Sequence, residues 1–148
     1  MASRPFNVGI IGYGLSAKVF HIPLILTVPE FKIYAIVQRS PKPDDDAEKD
    51  HPGVKVYRSS SEMAQDPAID VIVVTTVPDS HFSLTKEALE GGKHGNNHVW
   101  ALKHHRLINA VVVEKPFTPT SKEADELIAI AKKHNKLIAV YQSMSNLQ

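Results

Sequence analysis

Six short apolar runs, separated by helical patterns and loops, are the feature that most constrains the fold of this chain. The clearest run, residues 70–76, contains four consecutive apolar β-branched residues, 71–74. Runs with so few polar interruptions suit strands that are buried on both faces of a parallel sheet. The other five runs are residues 6–11, 32–37, 54–57, 111–114 and 137–141.

Helical patterns lie between these runs. One predicted helix follows Gly14 and carries Ala17, Phe20 and Leu24, and another covers about residues 80–89. Residues 60–65 predict a single helical turn. The clearest predicted helix begins with a capping box formed by Thr120 and Glu123. Its apolar stripe has helical spacing and consists of Ala124, Leu127, Ile128 and Ala131.

Strands that alternate with helices imply right-handed crossovers and a doubly wound parallel sheet. We therefore expect an α/β Rossmann fold with six strands in the order 3-2-1-4-5-6. The stretch 41–52 is acidic and flanked by prolines, so we expect a solvated loop there in place of a helix. A length of 148 residues gives room for one such domain.

The composition excludes several classes of function. Seventeen Lys and Arg residues balance sixteen Asp and Glu residues, so no basic field exists to hold nucleic acid or a membrane surface. The absence of cysteine excludes disulfides, thiolate zinc sites and cysteine nucleophiles. It fits a reducing compartment, and with no signal-peptide profile and no long apolar run we expect a cytoplasmic protein.

A glycine-rich turn follows the first run. Residues 12–17 read Gly-Tyr-Gly-Leu-Ser-Ala, which is a G-x-G-x-x-A pattern between a strand and a helix. Such a turn binds the pyrophosphate of a dinucleotide at the helix N-terminus, and a plain tight turn is the alternative. The predicted cofactor contacts here are Gly12, Tyr13, Gly14, Leu15 and Ser16.

The end of the second run selects the dinucleotide. A site for NAD usually places an acidic residue there, but this chain has Gln38, Arg39 and Ser40. Because a guanidinium pairs well with a phosphate, these three residues are predicted to bind the cofactor, with NADP favoured over NAD. The alternative is that Arg39 is a solvated loop residue.

Five segments in order resemble the N-terminal domain of the Gfo/Idh/MocA oxidoreductases: residues 12–14, 20–23, 75–81, 91–94 and 111–117. The resemblance covers residues 6–94 and 111–142. It implies an enzyme that uses NAD or NADP to oxidise or reduce sugars, polyols and related carbonyl compounds. It also implies a second domain that supplies most of the substrate pocket, including a catalytic histidine.

The resemblance assigns further residues to the site. Thr75, Thr76, Val77, Pro78, His81, Glu114 and Lys115 are expected to line the cofactor, mainly at its nicotinamide half. Lys115 is the expected catalytic residue, because its ammonium can hydrogen-bond the substrate hydroxyl and stabilise a developing oxyanion. A purely local hydrogen-bonding role for His81 and a surface role for Lys115 are the alternatives. His21 and Pro23 are expected to be structural, and Lys115–Pro116 to be a cis peptide.

Two segments depart from the family pattern. Residues 95–110 form an insertion that interrupts a domain spanning residues 1–142, and residues 143–148 form an atypical tail in place of the substrate domain. Translated intron sequence is our hypothesis for both. The histidines at and near the insertion could hold zinc, but no pattern supplies a fourth ligand, so no metal site is assigned.

The leading interpretation is thus the NADP-binding domain of an oxidoreductase, inactive in this form. A sugar-like substrate would be a partner only if a second domain were supplied. Two alternatives remain open: a non-catalytic dinucleotide-binding regulator and a defective splice product.

Overall fold

The computed structural model describes residues 4–91 and 110–142. Its strands are β1 (Phe6–Ile11), β2 (Phe31–Val37), β3 (Lys55–Tyr57), β4 (Val71–Val74), β5 (Ala110–Glu114) and β6 (Leu137–Tyr141). They form one sheet in the order β3-β2-β1-β4-β5-β6, and every neighbouring pair is parallel. The predicted Rossmann arrangement is therefore confirmed.

The helices lie between the strands, as predicted. They are α1 (Ile22–Leu26), which continues from a π-helical segment (Ala17–His21), then α2 (Ala47–Asp50), α3 (Ser60–Ala64), α4 (His81–Glu90) after a 3-10 turn (Pro78–Ser80), and α5 (Ser121–Lys133). The capping box of α5 is present, since Thr120 and Glu123 each bond the other's backbone N–H. No helix within the described ranges has the length and apolarity needed to cross a membrane.

The buried face of the first helix differs from the prediction. Ala17 is buried as expected, but Phe20 and Leu24 are 46% and 51% exposed, and His21 and Ile25 are buried instead. The cause is the π-helical segment, in which the N–H of Ile22 donates to the carbonyl of Ala17 five residues earlier. This wider turn rotates the i+3 and i+7 positions from Ala17, which are Phe20 and Leu24, away from the sheet. It leaves the i+4 and i+8 positions, His21 and Ile25, on the inner face.

The prediction of a solvated loop at residues 41–52 is wrong in part. Residues 47–50 form α2, and the Asp46 side chain caps this helix by accepting a hydrogen bond from the N–H of Glu48 at 3.1 Å. Ala47 is fully buried against the sheet. The four-residue helix escaped prediction because one buried side chain leaves no periodic pattern.

Two apolar clusters cover the two faces of the sheet. One joins β-strand residues such as Ile72 and Val113 to α4 and α5, and the other joins Ile10 and Ile36 to the first helix. These clusters hold the strands in register, so the chain segments that follow each strand emerge together at one edge. Residues 95–109 of the predicted insertion and the tail 143–148 lie outside the described residues, whereas Ala110 is already part of β5.

Candidate dinucleotide site

The carboxyl ends of the strands meet at one edge of the sheet, and β1 lies where the strand order reverses. Ligands of open α/β sheets bind at this point. Gly12 directly follows β1 and has a φ of +102°, a conformation that side chains strongly disfavour. A Cβ atom there would also lie 2.9 Å from Cγ2 of Thr76. Gly12 is therefore required by the turn itself.

Thr75 supports this turn from β4. Its hydroxyl donates to the carbonyl oxygens of Ile11 and Gly12, each at 3.1 Å, and its N–H donates to Ile11 at 3.0 Å. Thr75 is buried, so its polar groups lie beneath the turn. Its contacts within the protein are thus structural, and its predicted contact with a cofactor stays a prediction.

Gly14 occupies open space at the start of the first helix. Apart from its chain neighbours, a Cβ atom there would meet no atom of the described residues within 4 Å, and the neighbouring Leu15 is 75% exposed. The edge is therefore open where the pyrophosphate of a dinucleotide would approach the helix N-terminus. This opening fits the predicted phosphate-binding role of the glycine turn.

Tyr13 points the other way, into the protein. It is 8% exposed, and its hydroxyl donates to Oδ2 of Asp50 in α2 at 2.8 Å. Burial and this hydrogen bond raise the pKa of the Tyr13 hydroxyl above its ordinary value. The ammonium of Lys18 lies 4.3 Å from the centre of the ring. The Tyr13 side chain therefore connects the glycine turn to α2.

Gln38 likewise makes contacts within the protein. Its Nε2 donates to the carbonyl of Asp45 at 2.7 Å, and its Oε1 accepts from the N–H of Ala47 at 2.8 Å. Both ends of the amide thus hold the segment that leads into α2. Sequence reasoning assigned Gln38 to the cofactor and missed this structural role.

Arg39 and Ser40 are exposed at the end of β2. Within residues 4–91 and 110–142, Arg39 forms no ion pair with a carboxylate. Two acidic residues of the segment that follows β2 are engaged elsewhere: Asp45 pairs with Lys18, and Asp50 accepts from Tyr13. An exposed guanidinium at this position suits an anionic group on the adenosine ribose.

The segment after β4 begins the other half of the edge. Val77 and Pro78 are exposed there, while Thr76 is half-buried and accepts a hydrogen bond from the hydroxyl of Ser80 at 2.7 Å. His81 is fully buried; its Nδ1 lies 2.7 Å from the carbonyl oxygen of Pro116, and its Nε2 lies 3.0 Å from that of Thr76. Both ring nitrogens of His81 thus lie within hydrogen-bond distance of a backbone carbonyl oxygen, as a local role predicts, and its contact with a cofactor stays a prediction.

Glu114, at the end of β5, is the centre of a buried network. Its Oε1 accepts from the hydroxyl of Ser16 at 2.5 Å and from Nε2 of His21 at 2.8 Å. Its Oε2 accepts from the backbone N–H of Lys115 at 3.1 Å. Burial alone would raise the pKa of Glu114, but the hydrogen bonds outweigh burial and lower it below its ordinary value. The carboxylate therefore remains ionised and joins the first helix to β5.

The network was not predicted, because no pattern in the sequence placed His21 on the inner face of the first helix. His21 is 4% exposed and packs against Tyr141 with a ring-centre distance of 4.5 Å. A histidine on the inner face of a helix needs a polar partner when it is buried. The structural role expected for His21 is therefore more specific than shaping a kinked helix, because His21 supplies a hydrogen bond to Glu114.

Lys115 is exposed beside this buried network. Its peptide bond to Pro116 is cis, as expected. Its ammonium forms no ion pair in the described part of the chain. The edge thus presents one unpaired ammonium at the end of β5.

The described residues contain no group of three or more His, Cys, Asp or Glu side chains arranged to hold a metal ion. His94, His98, His104 and His105, which the zinc alternative would use, lie outside the described residues.

Two known proteins illustrate the relationships of the chain. An uncharacterized oxidoreductase of Schizosaccharomyces pombe is 36% identical over 141 residues, which are 94% of this chain and 34% of that protein. The scyllo-inositol 2-dehydrogenase (NADP(+)) of Bacillus subtilis is 33% identical over 137 residues, which are 93% of this chain and 33% of that protein. The chain thus spans about a third of the length of these relatives.

A solved structure and a family model agree with these relatives. The crystal structure of a proposed oxidoreductase from Bacteroides fragilis superposes with a TM-score of 0.75 and 39% identity, over 95% of this chain and 38% of that one. The family model described as an oxidoreductase family with an NAD-binding Rossmann fold matches residues 6–142. Fold, glycine turn and sequence lead to one conclusion: the chain belongs to the Gfo/Idh/MocA oxidoreductase family and contains its NAD(P)-binding Rossmann domain.

Proposed function

We propose that this chain binds NADP in preference to NAD, as the coenzyme domain of an oxidoreductase. The observation that carries the proposal is the exposed guanidinium of Arg39 at the end of β2, where the described residues supply no carboxylate partner. A relative that is 33% identical is named as an NADP(+)-dependent dehydrogenase, which supports the same preference.

Different residues of this edge would bind different parts of the dinucleotide. The backbone of residues 12–16 would bind the pyrophosphate in the open space at Gly14. Arg39 and Ser40 would bind the 2′-phosphate of the adenosine ribose, and residues 75–78 with His81 would border the nicotinamide half. When bound, NADP(H) supplies the acceptor or donor of a hydride, exchanged with the hydroxyl or carbonyl carbon of a sugar, polyol or related compound.

Lys115 is the proposed catalytic residue of this reaction. Its exposed ammonium would donate a hydrogen bond to the substrate oxygen and stabilise the negative charge that develops there. Glu114 would act indirectly, since its carboxylate binds the Lys115 backbone N–H and fixes the peptide that carries the ammonium.

We also propose that residues 1–142 form the coenzyme domain, interrupted at 95–110, and that this chain alone does not sustain turnover. Hydride transfer requires the substrate carbon to be held about 3–3.5 Å from the nicotinamide, and positioning supplies much of the rate. In the described residues, the nicotinamide half offers the exposed ammonium of Lys115 to a substrate oxygen, while Ser16, His81 and Glu114 are engaged inside the protein. One ammonium can polarise a hydroxyl but cannot orient a sugar.

A second candidate function is non-catalytic dinucleotide sensing. It is favoured by the same internal engagement of polar groups, because a binding site needs no group that touches a substrate. The two candidates share the dinucleotide site and differ only in turnover.

The test combines binding with turnover on the full 148-residue chain. Titration of NADPH and NADH, followed by nicotinamide fluorescence, should show tighter binding of NADPH. A panel of sugars and polyols should then cause no reduction of NADP to NADPH above background. Turnover that disappears in Lys115→Ala would contradict the inactivity proposal and support the catalytic role of Lys115. Absence of binding by both dinucleotides from a folded chain would overturn the whole proposal.

A further inference from the structure

A second arginine contacts the backbone directly before Arg39. Arg58 directly follows β3, the strand next to β2, and Val37 and Tyr57 are register partners at the ends of these strands. The Nη1 of Arg58 donates to the backbone carbonyl of Gln38 at 3.0 Å. The Arg58 side chain therefore lies across the end of β2, immediately before the Arg39 peptide.

Neither arginine is neutralised by a carboxylate in residues 4–91 and 110–142. Both are exposed. A guanidinium has five N–H donors in a fixed plane, and the contact with Gln38 uses the Nη1 group of Arg58 only. The remaining donors of Arg58, together with all those of Arg39, are available to an anion at this edge.

A phosphate monoester fits this pair better than any other group of a dinucleotide. It carries nearly two negative charges at neutral pH and offers three acceptor oxygens. The pyrophosphate would lie at the glycine turn after β1, and the ribose hydroxyls of NAD carry no charge for two cations to match. The ligand chemistry that suits two neighbouring guanidinium groups here is therefore the 2′-phosphate.

We propose that Arg58 is a specificity-determining residue, which together with Arg39 binds the 2′-phosphate of NADP. This inference rests on the proposed function and adds to it a residue from a different strand. The hydrogen bond to Gln38 holds the Arg58 side chain in place before a ligand arrives, which lowers the entropy lost on binding. Arg39 would contact the same phosphate from the segment that follows β2.

The experiment uses the full chain and compares Arg58→Met, which keeps an aliphatic stem without charge, with Arg58→Lys, which keeps the charge. Lys32→Met is the matched control, because it removes one exposed cation from the opposite end of β2. Dissociation constants are measured for NADPH and NADH by fluorescence, and for adenosine 2′,5′-bisphosphate against AMP by calorimetry.

For Arg58→Met we expect NADPH and the bisphosphate to bind about tenfold more weakly, while NADH and AMP change by less than about twofold. Arg58→Lys should lose about threefold for NADPH, since the charge remains but the planar fork is lost. Lys32→Met should match the wild type for all four ligands.

Two results would overturn the inference while leaving NADP binding intact. Equal weakening of NADPH and NADH in Arg58→Met would mean that Arg58 only supports the end of β2. Unchanged NADPH affinity in Arg58→Met would mean that it does not touch the phosphate. A wild-type chain that binds neither dinucleotide, or prefers NADH, would instead overturn the proposed function and this inference with it.

Discussion

The two halves of the candidate site treat their polar side chains in opposite ways. At the adenosine half, Arg39 and Arg58 are exposed and have no carboxylate partner within the described residues. At the nicotinamide half, Glu114 and His81 are buried and hydrogen-bonded inside the protein, and Lys115 is exposed without an ion pair in the described residues. The polar side chains of the first half are thus available to a ligand, whereas most of those in the second half form hydrogen bonds that stabilise the protein itself.

This difference shows how one sheet edge can separate recognition from reaction. Recognition of a phosphate needs exposed cations that one domain can supply alone. Reaction needs a rigid floor under the reacting atoms, and the Ser16–Glu114–His21 network supplies such a floor beneath Lys115. Under the proposed function, a second surface would then have to complete the substrate site next to Lys115.

The largest expected effect concerns the glycine turn, which lies between the two halves. Gly14→Val places a branched side chain where the pyrophosphate must pass, so affinity for both NADPH and NADH should fall by at least about 100-fold. Apart from the chain neighbours, no atom of the described residues lies within 4 Å of the new Cβ, so the fold should remain, as circular dichroism can check. Val19→Ala, an exposed change on the same helix, is the control. Unchanged affinity in a folded Gly14→Val chain would remove the glycine turn from the site.

The next effect concerns the adenosine half alone. Arg39→Ala should weaken NADPH binding by about tenfold to a hundredfold, because a charge-assisted hydrogen bond contributes roughly 1.5–3 kcal/mol. NADH binding should change little, since it has no phosphate at this position. Parallel fluorescence titrations measure both constants, and equal losses for the two would refute the assignment.

A third change, in the nicotinamide half, is expected to lower the stability of the fold. Glu114→Gln weakens the buried network, so the free energy of unfolding at pH 7 should fall by about 1.5–3 kcal/mol. Because the folded pKa of Glu114 is lowered, its stabilising contribution is complete above the unfolded value of about 4.3 and declines as the pH falls through the folded pKa.

Urea unfolding from pH 7 to pH 3 tests this prediction. The stability difference between wild type and Glu114→Gln should narrow below about pH 4.3. Glu30→Gln, an exposed carboxylate at the other edge, is the control and should differ little from wild type at any pH. A difference that stays constant over the whole range would show that ionisation of Glu114 does not stabilise the fold.

The smallest expected effect lies under the turn between the halves. Thr75→Val keeps the shape of the side chain and removes its hydrogen bonds to Ile11 and Gly12, so stability should fall by about 1 kcal/mol. Denaturant midpoints measure the change. Thr27→Val, which loses an exposed hydrogen bond to Leu24, should cost less than about 0.5 kcal/mol. A larger loss for Thr27 than for Thr75 would contradict this account of the turn.

The sequence predicted the features that depend on neighbours along the chain. Strands β1 and β6 have the predicted bounds, and the glycine turn and the capping box of α5 are present as expected. Each of these is a local pattern of apolar spacing, glycine or capping residues. The strand order also followed, because alternation of strands and helices leaves few permitted topologies.

The missed features depend on contacts between distant residues. His21 and Glu114 are 93 positions apart, and Arg58 reaches Gln38 across 20 positions. No local pattern reports which side chains a folded sheet brings together. The π-helical segment was missed for another reason, since it changes the spacing on which the prediction of buried positions rests.

Gln38 limits how the cofactor preference of this chain could be altered, by mutation in nature or in the laboratory. The familiar route to NAD use is an acidic residue at the end of the second strand. A carboxylate at position 38 could still accept from Ala47, but it has no hydrogen to give the carbonyl of Asp45, so the segment leading into α2 would lose its support. Under the proposed function, a change of preference is therefore open at positions 39, 40 and 58, while replacement of the amide at position 38 would remove the support of α2.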